Sequence, residues 1–130
     1  MTLTDIQVIV VDDVQSMRIQ VKEILRICGF EKIRSASSGL EALRMLNEKS
    51  AQLLICDWHM APMSGLELLK EIRSKESIKE TTFVMLTAEG TRERVLEALK
   101  AGLDDYIMKP FTPEHARLKV MNALLKRKVL

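Results

Sequence analysis

The 130-residue chain is expected to fold as an α/β open doubly wound sandwich, a five-stranded parallel sheet with helices on both faces. Three observations predict this. Short β-branched apolar runs alternate five times with segments of helical apolar spacing. Those runs are nearly continuous rather than alternating, which suits strands covered on both sides. Helix punctuation, with a capping serine or threonine before and glycine after, falls between them.

Residues 6–11 (IQVIVV) form the first strand. Met17, Val21, Ile24, Leu25 and Cys28 then recur at helical spacing until Gly29 stops the helix. Residues 32–36 give a weaker second strand, and Ser38 to Glu41 (SGLE) reads as a capping box for a helix with Leu40, Leu43 and Leu46 inside. Residues 52–56 are the third strand. A second SGLE, Ser64 to Glu67, opens a helix burying Leu66, Leu69 and Ile72. Residues 82–86 (TFVML) are the fourth strand. Thr91 starts a helix carrying Val95, Leu96 and Leu99, ended by Ala101-Gly102. Residues 105–108 are the fifth strand. Thr112-Pro113 begins the last helix, whose inner stripe is expected to be Leu118, Met121 and Leu125.

Composition sets the outer bounds. Hydrophobic residues at 47% and charged residues at 29% fit a soluble globular chain, read as one domain over residues 1–130. A net charge of +2 does not call for nucleic acid. No apolar run approaches the roughly 18 residues that span a membrane, and no signal peptide precedes the first strand. Cys28 and Cys56 lie in apolar segments without metal-ligand spacing, as reduced core thiols of a cytoplasmic protein do. The basic residues 126–128 suit the negative end of the final helix.

The polar residues that follow the apolar runs carry the chemistry. All strands of a parallel sheet end at one edge, where ligands bind. There the first strand ends in Asp12-Asp13, the third in Asp57, the fourth in Thr87 and the fifth in Lys109-Pro110. Three carboxylates packed together cannot all stay ionised without a cation, and hard oxygen donors suit Mg²⁺. With Lys109 and the Thr87 hydroxyl beside them, the site is tuned to a phosphoryl group. Asp57, at its centre, is the natural nucleophile for an aspartyl phosphate.

These residues resemble the receiver domain of two-component response regulators, closest in layout to the single-domain chemotaxis type. The resemblance runs through VDDVQSMR, CDWHM, GLELLKEIR, MLTAE and DDYIMKPF, and covers nearly the whole chain. It implies a flavodoxin-like strand order 2-1-3-4-5 and a phosphoacceptor at Asp57. It implies Mg²⁺ on Asp13, Asp57 and the His59 backbone carbonyl, with Asp12 acting mainly through water. Lys109 would pair with phosphoryl oxygens, Thr87 would swing towards them, Tyr106 would turn inward, and Lys109-Pro110 would be a cis peptide. The family's M-P-x-M-[DS]-G loop reads Met60-Ala61-Pro62-Met63-Ser64-Gly65 here, with the proline one place later. His59 and Glu89 stand where the family tunes loss of the phosphoryl group, and are expected to meet and screen the attacking water.

With no output module expected beyond the receiver, function would leave through a surface whose shape depends on Asp57. The fourth helix, fifth strand and fifth helix are the expected read-out face, with Val120 and Ala123 turned outward as partner contacts. The resemblance implies a histidine kinase as phosphodonor and a downstream protein, the flagellar motor switch among the choices, with no nucleic acid or membrane and a monomeric chain. A phosphorelay intermediate and a receiver cut from a longer regulator remain open. The chain is not expected to be an enzyme beyond slow self-phosphorylation and autodephosphorylation. A Mg²⁺-dependent aspartyl-nucleophile phosphatase is the rival of another class, although such enzymes carry D-x-D after the first strand, where this chain has Asp12-Asp13. A nucleotide or flavin binder would need a glycine-rich phosphate loop that is absent here.

Overall fold

The computed structural model describes residues 1–88 and 91–130. The elements run β1 (Gln7–Val11), α1 (Gln15–Cys28), β2 (Lys32–Ala36), α2 (Gly39–Glu48), β3 (Leu53–Asp57), α3 (Gly65–Ser74), β4 (Thr82–Thr87), α4 (Arg92–Lys100), β5 (Asp105–Met108) and α5 (Pro113–Lys126). The five strands form one sheet in the order β2-β1-β3-β4-β5, and every neighbouring pair is parallel. Fold class and strand order are those expected.

The continuous apolar runs have a simple cause. Ile9, Val11, Leu54, Cys56, Phe83 and Met85 face one core, which α2, α3 and α4 cover. Their sequence neighbours Val8, Val10, Leu53, Ile55, Val84 and Leu86 face the other, under α1 and α5. A strand feeding two cores must be apolar at every position. Weakly apolar β2 lies at the sheet border, where less is covered.

Helix ends follow local chemistry. Gly29 at φ 112° closes α1, a left-handed conformation costly for residues with a Cβ. Ser64 and Glu67 form a complete capping box. At Ser38 only half the box forms: its hydroxyl accepts the Glu41 N–H, while the Glu41 carboxylate accepts the Ser37 hydroxyl at 2.9 Å instead. Thr112 caps α5, with Pro113 at its first turn.

Several core assignments need correction. The inner face of α2 is Gly39, Ala42, Leu43 and Leu46, and Leu40 is 62% exposed. Gly39 belongs inward because Met63 packs where its Cβ would be. In α3, Leu68 is buried with Leu69 and Ile72, and Leu66 is only partly covered. In α4 only Ala98 is buried; Leu96 and Leu99 are exposed, because this helix flanks the sheet's β5 border. The inner stripe of α5 is Ala116, Val120, Ala123 and Leu124, whereas Leu118 and Leu125 face solvent and Met121 is partly covered. Val120 and Ala123 are therefore core and cannot be partner contacts. Small Ala116 and Ala123 let α5 approach the sheet, so side-chain size decided the face that hydrophobicity alone misassigned. Arg127 also does more than neutralise a helix end: it pairs with Asp104 at 2.7 Å and Glu80 at 3.1 Å.

Candidate functional site

The sheet's carboxyl edge is held by a short chain of backbone bonds. The Trp58 N–H donates to the Leu86 carbonyl at 2.9 Å, and the Lys109 N–H to the Thr87 carbonyl at 2.8 Å. Register places Val11 opposite Cys56, Asp57 opposite Leu86 and Thr87 opposite Met108. The ends of β1, β3, β4 and β5 thus meet. Asp12 and Asp13 follow β1 directly, and their carboxylates and that of Asp57 each offer an oxygen within 4.8 Å of the others. The Lys109 ammonium lies 3.4 Å from Asp57 Oδ2, with both side chains mostly covered. Thr87 is buried at the end of β4.

The charge balance is unfavourable without a further cation. Among the described residues, three carboxylates face one ammonium in this group, an excess of two negative charges. Asp12 is 1% exposed. Its Oδ1 accepts the Val14 N–H at 2.9 Å, but its Oδ2 is buried with no hydrogen-bond partner among the described residues. A desolvated carboxylate oxygen without a partner, on one of three clustered carboxylates, is what a hard divalent cation and its bound water would satisfy. The residues present fit Mg²⁺.

Burial, followed by the charge of Asp57, pushes Asp12 above its ordinary value, while the Val14 N–H and Lys109 oppose the rise. The folded chain therefore binds more protons than the unfolded chain between the ordinary carboxylate value of 3.8 and the raised one. Stability contributed by Asp12 falls as pH rises through that interval, and at neutral pH its ionised form costs free energy. Asp12→Asn keeps the acceptor for Val14, turns the orphaned oxygen into a donor and removes one negative charge from the cluster. Without Mg²⁺ at pH 7 it is expected to gain about 1–2 kcal/mol in urea unfolding, a gain that shrinks in acid. Added Mg²⁺ should then stabilise the wild type more than the variant.

Gly65 makes the loop after Asp57 possible. A Cβ there would lie 2.5 Å from the Asp57 carbonyl oxygen and 2.7 Å from Met85 Sδ. The Gly65 N–H instead donates to the Trp58 carbonyl at 2.9 Å, docking the start of α3 against the end of β3. Gly65→Ala must push the backbone of Asp57 or α3 aside. It is expected to lose about 1–3 kcal/mol in thermal or urea unfolding, and to weaken Mg²⁺ binding because the shifted backbone carries a carboxylate.

The structure thus brings together Asp12, Asp13, Asp57 and Lys109, with Thr87 at the same edge. His59 is exposed, and its N–H lies 3.4 Å from Asp57 Oδ1. Glu89 lies outside the described residues, and with it the contact expected between Glu89 and His59. Tyr106 is half-buried on β5, with the Lys119 ammonium 5.0 Å from its ring centroid. The Lys109–Pro110 peptide is cis, and so is Ala61–Pro62. Sequence reading missed Gly65's steric role, although a glycine at the first turn of a capped helix hints at close approach. It also missed Lys119, whose link to Tyr106 is a matter of helix phase.

Three kinds of comparison bear on the site. The response regulator receiver domain family matches the chain over residues 8–121. Chemotaxis protein CheY-3 of Vibrio cholerae is 43% identical over 108 residues, 83% of each chain. Chemotaxis protein CheY1 of Helicobacter pylori is 41% identical over 115 residues, 88% of this chain and 93% of that one. Among solved structures, a response regulator receiver domain protein from Clostridium thermocellum superposes with a TM-score of 0.84 at 29% identity, covering 95% of this chain and 98% of that chain. Chemotaxis protein CheY4 of Vibrio cholerae gives a TM-score of 0.78 at 33% identity, covering 96% and 98%.

Proposed function

This chain belongs to the response regulator receiver domain family, homologous to chemotaxis response regulators of two-component phosphoryl signalling, and we propose that it accepts a phosphoryl group on Asp57 from a histidine kinase. The observation that carries the reading is the convergence of Asp12, Asp13 and Asp57 within 4.8 Å, with Lys109 against the last of them. An Asp57 carboxylate oxygen attacks phosphorus, the donor histidine nitrogen leaves with its electron pair, and an acyl phosphate remains. Asp13, Asp57 and the His59 backbone carbonyl would hold Mg²⁺, with Asp12 reaching it through water. Bound there, Mg²⁺ supplies charge neutralisation for the phosphoryl oxygens. Lys109 orients and neutralises the transferred group on its other side, and the Thr87 hydroxyl donates to one of its oxygens. His59 and Glu89 set how fast water removes it.

The read-out face is α4, β5 and α5. Leu96 and Leu99 of α4 and Met108 of β5 are exposed, and Lys119 of α5 stands against Tyr106 of β5. Thr87 moving towards the phosphoryl group and Tyr106 turning inward would reshape this face for a downstream protein. The names of the relatives point to chemotaxis, so the partner we favour is a flagellar motor switch component, reached by a monomeric cytoplasmic messenger of one domain. No helix among the described residues is long and apolar enough to cross a membrane. The phosphatase alternative loses ground to the family match.

Trp58, the only tryptophan, follows Asp57 directly and is 8% exposed, so its fluorescence reports on the site. Mg²⁺ is expected to change that fluorescence saturably, and beryllofluoride to change it again in the wild type but not in Asp57→Asn. Mg²⁺ binding without a beryllofluoride response would refute the acceptor role. Rapid multiple-turnover hydrolysis of phosphate esters would favour the phosphatase.

A further inference from the structure

We propose that Lys119 is a positioning residue for Tyr106: its ammonium, anchored on Asp105, holds the ring in this half-exposed orientation and so biases how readily the phosphoryl site fills. The inference rests on the reading that Tyr106 moves when Asp57 is occupied.

The geometry is a three-point latch. The Lys119 ammonium on α5 lies 3.3 Å from Asp105 Oδ1 and 5.0 Å from the Tyr106 ring centroid. Asp105 Oδ1 also accepts the Tyr106 backbone N–H at 2.8 Å, which fixes the carboxylate on β5. The ammonium is therefore held by a carboxylate that cannot swing freely, within cation–aromatic distance of the ring. The two charged side chains are 27% and 18% exposed, covered well beyond an ordinary surface pair. A cation against an aromatic face is attractive and grows stronger as water is excluded. Turning the ring away from α5 gives up this attraction while Lys119 keeps Asp105.

The consequence follows from linkage. If the ring leaves Lys119 when the site fills, the latch favours the empty state and weakens occupancy by the same factor. Removing the charge should therefore tighten phosphoryl-site ligands without touching any group near Asp57. The effect should be about fivefold, the scale of one partly covered cation–aromatic contact. Lysine's long stem also packs on apolar surface, so the informative change keeps the stem and deletes the charge.

Tyr106 is the only tyrosine, so 3-fluorotyrosine gives a single reporter in fluorine NMR. Wild type, Lys119→Met and Lys119→Arg are compared with Mg²⁺ present, without beryllofluoride and through a titration. Lys119→Met is expected to move the unliganded resonance towards its beryllofluoride-bound position and to lower the half-saturating beryllofluoride about fivefold. Lys119→Arg, which restores a cation able to pair and stack, is expected to return both towards wild type. A Lys119→Met spectrum and titration superimposing on wild type, in a wild-type chain whose resonance does respond, would overturn the latch alone. A wild-type resonance unmoved by beryllofluoride, in a chain whose Trp58 does respond, would overturn the Tyr106 reading and the latch with it.

Discussion

Asp104→Ala is expected to cost about 3–5 kcal/mol of stability, close to the limit of what one substitution does to a domain of this size. The carboxylate is 2% exposed and sits just before β5, at the edge of the sheet opposite the acidic site. Its Oδ2 accepts the Phe83 N–H at 2.9 Å and Arg73 Nη2 at 3.0 Å, and its Oδ1 accepts Arg127 Nε at 2.7 Å. Arg73 in turn donates to the carbonyls of Gly102, Lys79 and Thr81 at 3.0, 2.7 and 2.7 Å. One carboxylate thus joins α3 and β4 to the residue that closes α5, from its place just before β5. Burial, and the nearby charge of Arg127, make the ionised form of Arg73 costly, with Asp104 offsetting them. Alanine leaves two guanidiniums without their shared anion and a strand N–H unpaired. Urea unfolding should show a lower midpoint at an unchanged slope. Arg127→Met, removing the more exposed arginine alone, should cost clearly less.

Lys109→Met should act in opposite directions on two measurements. The ammonium 3.4 Å from Asp57 would compete with a metal for that carboxylate. Its removal is expected to tighten Mg²⁺ binding a few-fold, since one repelling cation is gone from a partly buried site. Phosphorylation by acetyl phosphate should slow about a hundredfold, because the transferred group loses a preorganised cation beside Asp57. Titration by Trp58 fluorescence and a phosphorylation time course separate the two effects. Parallel loss of both would mean that the fold around the site had been disturbed, and unchanged phosphorylation would remove Lys109 from the site.

How much of this was legible in the sequence depended on how local the cause is. Strands β2 and β5 match their expected bounds because a short apolar run between turn residues is a local signal. The meeting of Asp12, Asp13, Asp57 and Lys109 was also legible, since a parallel sheet sends every strand's end to one edge whatever the details of packing. Helix faces were less so. Leu40, Leu96, Leu99, Leu118 and Leu125 all fit an apolar period, yet are exposed. The faces of α2 and α5 are set by close approach of small residues such as Gly39, Ala116 and Ala123, and α4 by its place at the β5 border, neither visible in periodicity. Arg73, Asp104 and Arg127 come from three separate segments, and nothing local marks them as partners. Lys119 and Tyr106 are the same case.

The most direct measurement is the intact mass of the chain after incubation with acetyl phosphate, with and without Mg²⁺, for wild type and Asp57→Asn. The wild type is expected to gain one phosphoryl group only when Mg²⁺ is present, to lose it to hydroxylamine as an acyl phosphate does, and Asp57→Asn to gain none. A wild-type chain that stays unmodified, or an Asp57→Asn chain modified to the same extent, would contradict the assignment of Asp57 as the phosphoryl acceptor.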